Sequence, residues 1–248
     1  MERLKNLERL SDEVKKHTVP YLERILELHG ENISSALLYG SATGPDFNPR
    51  SSDVNILIVF DKLEFPDLKK SLKLVSRGIR QRITAPLFLT RHHIQTSTDT
   101  FPIEFLELKE NHVLVYGEDI LSGLEIDRNN IRLHCEQQLK GKLIRLRQAY
   151  LEIGLKRRGI EALLKESLTS LMPIFRNMLR LKGKEPPVGK EDIIRELSEE
   201  FAVDKDLFLT ILMDKKDDEK IGLQDVEPFF ERYIEEIRKL ANASDELM

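Results

Sequence analysis

Four polar or glycine residues lie at the facing ends of two apolar runs, and their types and spacing could form a chemical site: Gly40, Ser41, Asp53 and Asn55. A glycine has no Cβ, so the backbone of Gly40 could come close to a phosphate, and Ser41 could cap the following turn or bind oxygen. Asp53 and Asn55 are two residues apart, so strand geometry would send both side chains to one face. The spacing predicts one polar site beside a glycine turn. The alternative is an ordinary turn with a solvated aspartate.

Two strands are needed to position these residues. The runs 36–39 and 54–60 are rich in Ile, Leu and Val, which is typical of buried strands. The polar segment between them contains Gly44, Pro45, Asn48 and Pro49, which favour turns. The glycine-serine pair would therefore leave one strand and Asp53 would open the next.

The other elements of the first half are predicted in the same way. Residues 2–29 form one or two amphipathic helices, ended at Gly30, and residues 66–82 form another helix. Further strands are expected at 84–90, 101–108 and 112–116, with Pro86 favouring an edge or a strand start for the first of them.

The pattern changes after Asp127, where strand periodicity stops and helical periodicity takes over. Five helices are expected, at 131–153, 160–181, 191–201, 204–213 and 226–240, and the run at 214–220 is expected to be a solvated turn. We therefore predict two domains, an α/β domain at 1–127 and a helical bundle at 128–248.

The glycine-serine pair, a gap, and then Asp53-Val54-Asn55 resemble the signature of the nucleotidyltransferase superfamily, which has the DNA polymerase β-like fold. The order of the two domains is similar to that of bacterial aminoglycoside-type and minimal nucleotidyltransferases. The resemblance implies an α+β fold, in which a mixed β-sheet with flanking helices precedes an all-α bundle. Gly40, Ser41 and Asp53 match the signature, whereas Asn55 stands where the family has an acid.

The resemblance also implies site roles. Gly40 and Ser41 would contact the phosphates of a nucleoside triphosphate, and Asp53 would be a catalytic ligand of Mg²⁺ or Mn²⁺, with Asn55 contributing a neutral oxygen. The family's third carboxylate lies on a strand adjacent to the one that carries the aspartate. We assign that metal-binding and catalytic role to Glu104, within the strand predicted at 101–108, with Glu107 as the fallback. An edge strand with two solvated acids is the alternative.

A basic cluster lies on the long helix predicted at 131–153 and just beyond it. Between Glu136 and Arg158 there are seven Lys or Arg against two Glu. Lys140 and Arg147 share a face of the helix and could bind the triphosphate or an anionic acceptor. The alternative is that they are solvated or paired with the acids of the helical half.

The composition argues against some classes of protein and against some kinds of binding partner. The 248 residues carry a net charge of −4, so a nucleic-acid partner is not expected. The chain lacks an apolar run of membrane-spanning length and has a single cysteine, which predicts a soluble cytoplasmic protein. A homodimer is left open.

We predict metal-dependent transfer of a nucleotidyl group from a nucleoside triphosphate to a hydroxyl of a small molecule or protein. The alternative is a catalytically weakened nucleotide-binding or regulatory module, since Asn55 replaces an acid.

Overall fold

The computed structural model describes residues 4–44, 47, 52–154, 156–216 and 226–247. The predicted turn residues Pro45, Asn48 and Pro49 lie outside these ranges, as do residues 217–220 of the predicted solvated turn. Contacts divide the chain into two compact units, Met1–Ile126 and Asp127–Met248.

The first unit is a four-stranded mixed sheet with helices on both faces. Strand β1 is antiparallel to both β2 and β4, and β3 extends the sheet in parallel beside β2, so that the order is β3-β2-β1-β4. The elements are α1 (Asp12–His29), β1 (Ile33–Tyr39), β2 (Asn55–Phe60), α2 (Phe65–Ile79), β3 (Leu87–Thr90), α3 (Arg91–Thr96), α4 (Pro102–Glu110) and β4 (His112–Gly117).

The alternation of side chains along β2 builds a separate apolar core on each face of the sheet. Ile56 and Ile58 pack with residues of α1 in one core, whereas Leu57 and Val59 pack with Phe105 of α4 in the other. All four β2 side chains are fully buried. Asn55 has the same parity as Leu57 and Val59, so it belongs to the face that α4 covers.

The strand predicted at 101–108 is wrong, because these residues form most of helix α4. Pro102 occupies the first turn, where its missing N–H is tolerated. Pro102, Phe105 and Leu108 are buried at intervals of three, as a helix packed on a sheet requires. Glu104 lies in the first turn of α4 and is exposed.

Helices α1 and α2 are joined by a buried hydrogen bond between His29 Nε2 and Ser71 Oγ, at 2.8 Å. The side chain of His29 is only 1% exposed, and its Nδ1 lies 3.8 Å from Asp67 Oδ1. Burial lowers the pKa of His29, with a smaller lowering from Lys70 and an opposing contribution from Asp67. The neutral imidazole is therefore the form that the fold accommodates.

This histidine predicts a loss of stability in mild acid. Because its folded-state pKa is lower than its unfolded value of about 6.5, the unfolded chain binds the proton more readily, and stability falls as the pH drops through and below that value. The free energy of unfolding of the wild type and of His29→Gln should be measured between pH 8 and 5. The variant should show a flatter profile in this range, whereas His93→Gln, which replaces an exposed side chain of α3, should keep the wild-type slope. If the free energies of unfolding of the wild type and of His29→Gln change equally with pH, His29 is not the cause of the loss of stability in acid.

The second unit consists of helices in the part of the chain that the structure describes, in agreement with the predicted five-helix set. They are α5 (Arg128–Ile153), α6 (Arg157–Leu181), α7 (Lys190–Phe201), α8 (Lys205–Lys216) and α9 (Val226–Asp245). Phe208 of α8 packs edge-on against Phe175 of α6 and Tyr233 of α9. The buried Tyr233 hydroxyl is hydrogen-bonded to Ser167 at 2.9 Å, which satisfies its polar end.

The predicted fold class, a mixed sheet with flanking helices followed by a helical region, is confirmed. Within the described ranges, none of the helices is both long and apolar enough to cross a lipid bilayer.

Candidate functional site

The glycine-serine pair forms a tight turn directly after β1. Gly40–Thr43 is a single 3-10 turn, in which the Thr43 hydroxyl donates to the Gly40 carbonyl at 2.8 Å. Gly40 has φ +74°, a left-handed conformation that residues with a side chain rarely adopt. The turn therefore depends on glycine at this position.

The pairing of β1 with β2 brings this turn to Asn55. Tyr39, the last residue of β1, lies opposite Asn55, the first residue of β2. A methyl group added at Gly40 would come within 3.1 Å of Asn55 Nδ2. The sheet thus brings Gly40 next to Asn55, and Asp53 lies two residues before Asn55 in the chain.

Asp53 faces a cation that the sequence reasoning missed. Arg82, between α2 and β3, places Nη1 3.9 Å from Asp53 Oδ1. The Asp53 side chain is 56% exposed and that of Arg82 49%, so both remain accessible to a ligand. Arg82 also lines a cleft of about 300 Å³, whose other described lining residues are Glu13, His17, Phe47, Ser52, Val54, Arg80 and Gln81.

Asn55 has a partner on the neighbouring segment, Thr84. The Thr84 hydroxyl lies 3.0 Å from Asn55 Oδ1 and 3.2 Å from the Val54 carbonyl, so it can donate to either oxygen. The Thr84 N–H also donates to the Val54 carbonyl at 3.0 Å, next to a parallel bridge between Val54 and Ile83. The hydroxyl of Thr84 therefore orients the amide oxygen of Asn55. Position 84 thus carries a threonine rather than an acid.

Removing this hydroxyl should loosen the site without unfolding the sheet. Thr84→Val takes away a side-chain hydrogen bond at half-buried oxygens, so we expect a loss of about 0.5–1.5 kcal/mol in the free energy of unfolding. Chemical denaturation should show this loss, whereas Thr84→Ser, which keeps the hydroxyl, should stay closer to the wild type. Equal losses for both variants would mean that the methyl group rather than the hydroxyl is what matters.

Glu104 does not lie where the third carboxylate was predicted, on a strand beside the one that carries Asp53. The strands beside β2 are β1 and β3, and neither β1 nor the segment from Ile83 to Thr90 includes an acid. Glu104 lies on α4, so the strand position on which its metal-binding and catalytic role depended is wrong. Glu107, the fallback, lies on the same helix. In the described ranges, no group of three or more His, Cys, Asp or Glu side chains is arranged to hold a metal ion.

The oxygen atoms that can act as ligands decide how many metal ions the site could hold. Mg²⁺ takes oxygen ligands and is commonly held by one or two carboxylates together with substrate phosphates and water. Asp53 offers one carboxylate and Asn55 one neutral oxygen, and the positive charge of Arg82 offsets part of the negative charge. These residues fit one divalent cation that arrives with a triphosphate. They do not fit a pair of cations.

The two basic residues proposed for phosphate binding lie on α5, in the second unit. Lys140 Nζ forms ion pairs with Glu136 Oε1 at 2.6 Å and Asp245 Oδ1 at 2.9 Å. The hydrogen bond to Glu136, followed by that to Asp245, raises the pKa of Lys140. Arg147 is exposed. Contact of either residue with a nucleotide stays a prediction.

Comparisons with known proteins give a match to solved structures. No family model matches the chain, and no curated protein does. A crystal structure of spectinomycin adenyltransferase AAD(9) from Enterococcus faecialis, with ATP and spectinomycin, matches with a TM-score of 0.58 at 13% sequence identity. The match covers 91% of this chain and 98% of the other. The chain therefore has the fold of that adenyltransferase, in agreement with the resemblance found in the sequence.

Proposed function

We propose that this chain is a nucleotidyltransferase, which moves a nucleoside monophosphate group from a nucleoside triphosphate to a hydroxyl of a small molecule or protein. The observation that carries the proposal is the meeting of the glycine turn with the start of β2, where Gly40 lies against Asn55. The shared fold with an adenyltransferase supports it.

Binding of the triphosphate is assigned to the turn. Because Gly40 has no side chain, phosphate oxygens can approach the backbone there, and the half-buried Ser41 offers a hydroxyl donor. Asp53 and the Asn55 amide oxygen would hold a divalent cation, which would neutralise phosphate charge and polarise the reacting phosphoryl group. Thr84 keeps the Asn55 oxygen oriented for this contact.

The reaction itself would be an in-line displacement. The acceptor hydroxyl would lose its proton to solvent as its oxygen forms a bond to the α-phosphorus, while the bond from that phosphorus to the bridging oxygen breaks and pyrophosphate leaves. In such transfers the protein acts chiefly by positioning the groups and stabilising charge. A hydroxyl-bearing small molecule is the first acceptor class to test, since the adenyltransferase with this fold was solved with spectinomycin.

A second function is favoured by the contacts around Asn55 and Asp53. Thr84 lies beside Asn55, β3 carries no acid, and Asp53 lies beside the cation of Arg82. A site with so little negative charge suits a module that binds a nucleotide and transfers it slowly or not at all.

Turnover distinguishes the two functions. The protein should be incubated with each of the four nucleoside triphosphates and Mg²⁺ or Mn²⁺, with and without spectinomycin and a panel of hydroxyl-bearing metabolites. Modified acceptor and pyrophosphate, detected by mass spectrometry and lost in Asp53→Ala, are the results expected for the enzyme. Saturable binding without product would favour the module, and the absence of binding to every triphosphate would contradict both.

A further inference from the structure

Arg82 has a backbone conformation that is unusual for its residue type. Its φ is +61°, in the left-handed region, just beyond the end of α2. Glycine or asparagine commonly occupies such a position after a helix, because a larger side chain makes the conformation costly. The presence of an arginine here calls for a reason in its side chain.

The backbone contacts of Arg82 do not supply that reason. Its carbonyl accepts from the Val54 N–H at 2.8 Å and its N–H donates to the Ile79 carbonyl at 3.2 Å. A glycine would make both of these hydrogen bonds at lower conformational cost. They do, however, fix Arg82 next to the start of β2, so the guanidinium is held beside Asp53.

The ion pair with Asp53 is also an insufficient reason. Both side chains are about half exposed and their charged atoms are 3.9 Å apart. Solvent-exposed pairs of this kind contribute little to stability. What the arrangement does achieve is to place a permanent positive charge at a site whose described residues include too few acids for a second divalent cation.

We propose that Arg82 binds the phosphates of the nucleoside triphosphate and supplies charge that metal ions would otherwise supply. The guanidinium fork matches phosphate oxygens geometrically and keeps its charge at all physiological pH values. Triphosphate binding therefore persists when divalent cations are removed. This inference rests on the proposed nucleotide site and goes beyond it by naming a residue and a metal-independent mode of binding.

Arg82→Gly tests the side chain alone, because it removes the guanidinium while the backbone structure is kept. Glycine relieves the left-handed strain and keeps the backbone hydrogen bonds, so its melting temperature should equal or exceed that of the wild type. Arg77→Ala is the matched control, since Arg77 is an exposed residue of α2, is not among the described residues that line the cleft and forms no ion pair with the described residues. Arg82→Asn, which tolerates the left-handed conformation, is the second variant if glycine lowers stability.

The measurement is ATP affinity by calorimetry, in Mg²⁺ and again in EDTA. We expect the wild type to bind ATP in both, Arg82→Gly to bind about tenfold more weakly in EDTA, and Arg77→Ala to stay within about twofold of the wild type. Unchanged affinity in folded Arg82→Gly or Arg82→Asn would overturn the role of Arg82 while leaving the nucleotide site intact. Wild-type binding that disappears in EDTA would overturn the metal-independent mode. A wild type that binds no triphosphate in either buffer would instead refute the proposed function itself.

Discussion

Gly40→Ala is expected to weaken nucleoside triphosphate binding by roughly ten- to a hundredfold. The added methyl group would lie 3.1 Å from Asn55 Nδ2, between the turn and the start of β2, where phosphates must approach the backbone. The alanine would also have to adopt a φ of +74°, and this strain destabilises the fold by about 1 kcal/mol. ATP affinity by calorimetry and the midpoint of urea unfolding measure the two effects separately.

Gly30→Ala is the control for the strain. Gly30 has a similar φ of +58° at the end of α1, and an added methyl group there meets nothing within 4 Å. Both variants should lose stability, but Gly30→Ala should keep wild-type ATP affinity. If Gly40→Ala is folded and binds ATP as the wild type does, the turn is not the phosphate site.

Asn55→Asp should convert the site into one that gains stability from metal. The change alters almost no volume, and the new carboxylate can still accept from the Thr84 hydroxyl at its present distance of 3.0 Å. In EDTA the two nearby carboxylates of residues 53 and 55 repel each other, so the variant should be less stable than the wild type. Saturating Mg²⁺ or Mn²⁺ should then stabilise it by about 1–3 kcal/mol, because the cation binds only the folded site.

Asn129→Asp, an exposed substitution with the same charge change at the start of α5, is the matched control and should show no metal-dependent shift in melting temperature. Any turnover that appears or rises in Asn55→Asp would identify position 55 as the cause of a weak wild-type activity. If metal stabilises the wild type and Asn55→Asp equally, Asn55 is not at a metal-binding position.

The sequence could predict only the part of the polar site that depends on local residue pattern and on the alternation of side chains along a strand. Gly40 and Asn55 meet because two apolar runs pair as antiparallel strands, and their sequence composition already indicated buried strands. The helices of the second unit were likewise readable from the three- and four-residue spacing of their apolar side chains.

The rest of the site depends on contacts between distant segments. Arg82 and Thr84 reach the start of β2 because the segment at 83–90 pairs with β2 in parallel, and the local residue pattern does not show which distant segment a strand pairs with. The error at Glu104 came from the run 101–108, which is short and apolar enough to fit a strand or a buried helix. The intervals of Pro102, Phe105 and Leu108 were the signal that favoured the helix.

Backbone amide NMR during an ATP titration tests the central claim most directly, because it locates the nucleotide without requiring an acceptor or turnover. We expect the largest saturable shifts at Gly40, Ser41, Asp53 and Asn55, and we expect these shifts to be smaller in Gly40→Ala at the same ATP concentration. Saturable shifts that are largest elsewhere in the chain, with these four amides unmoved, would contradict it.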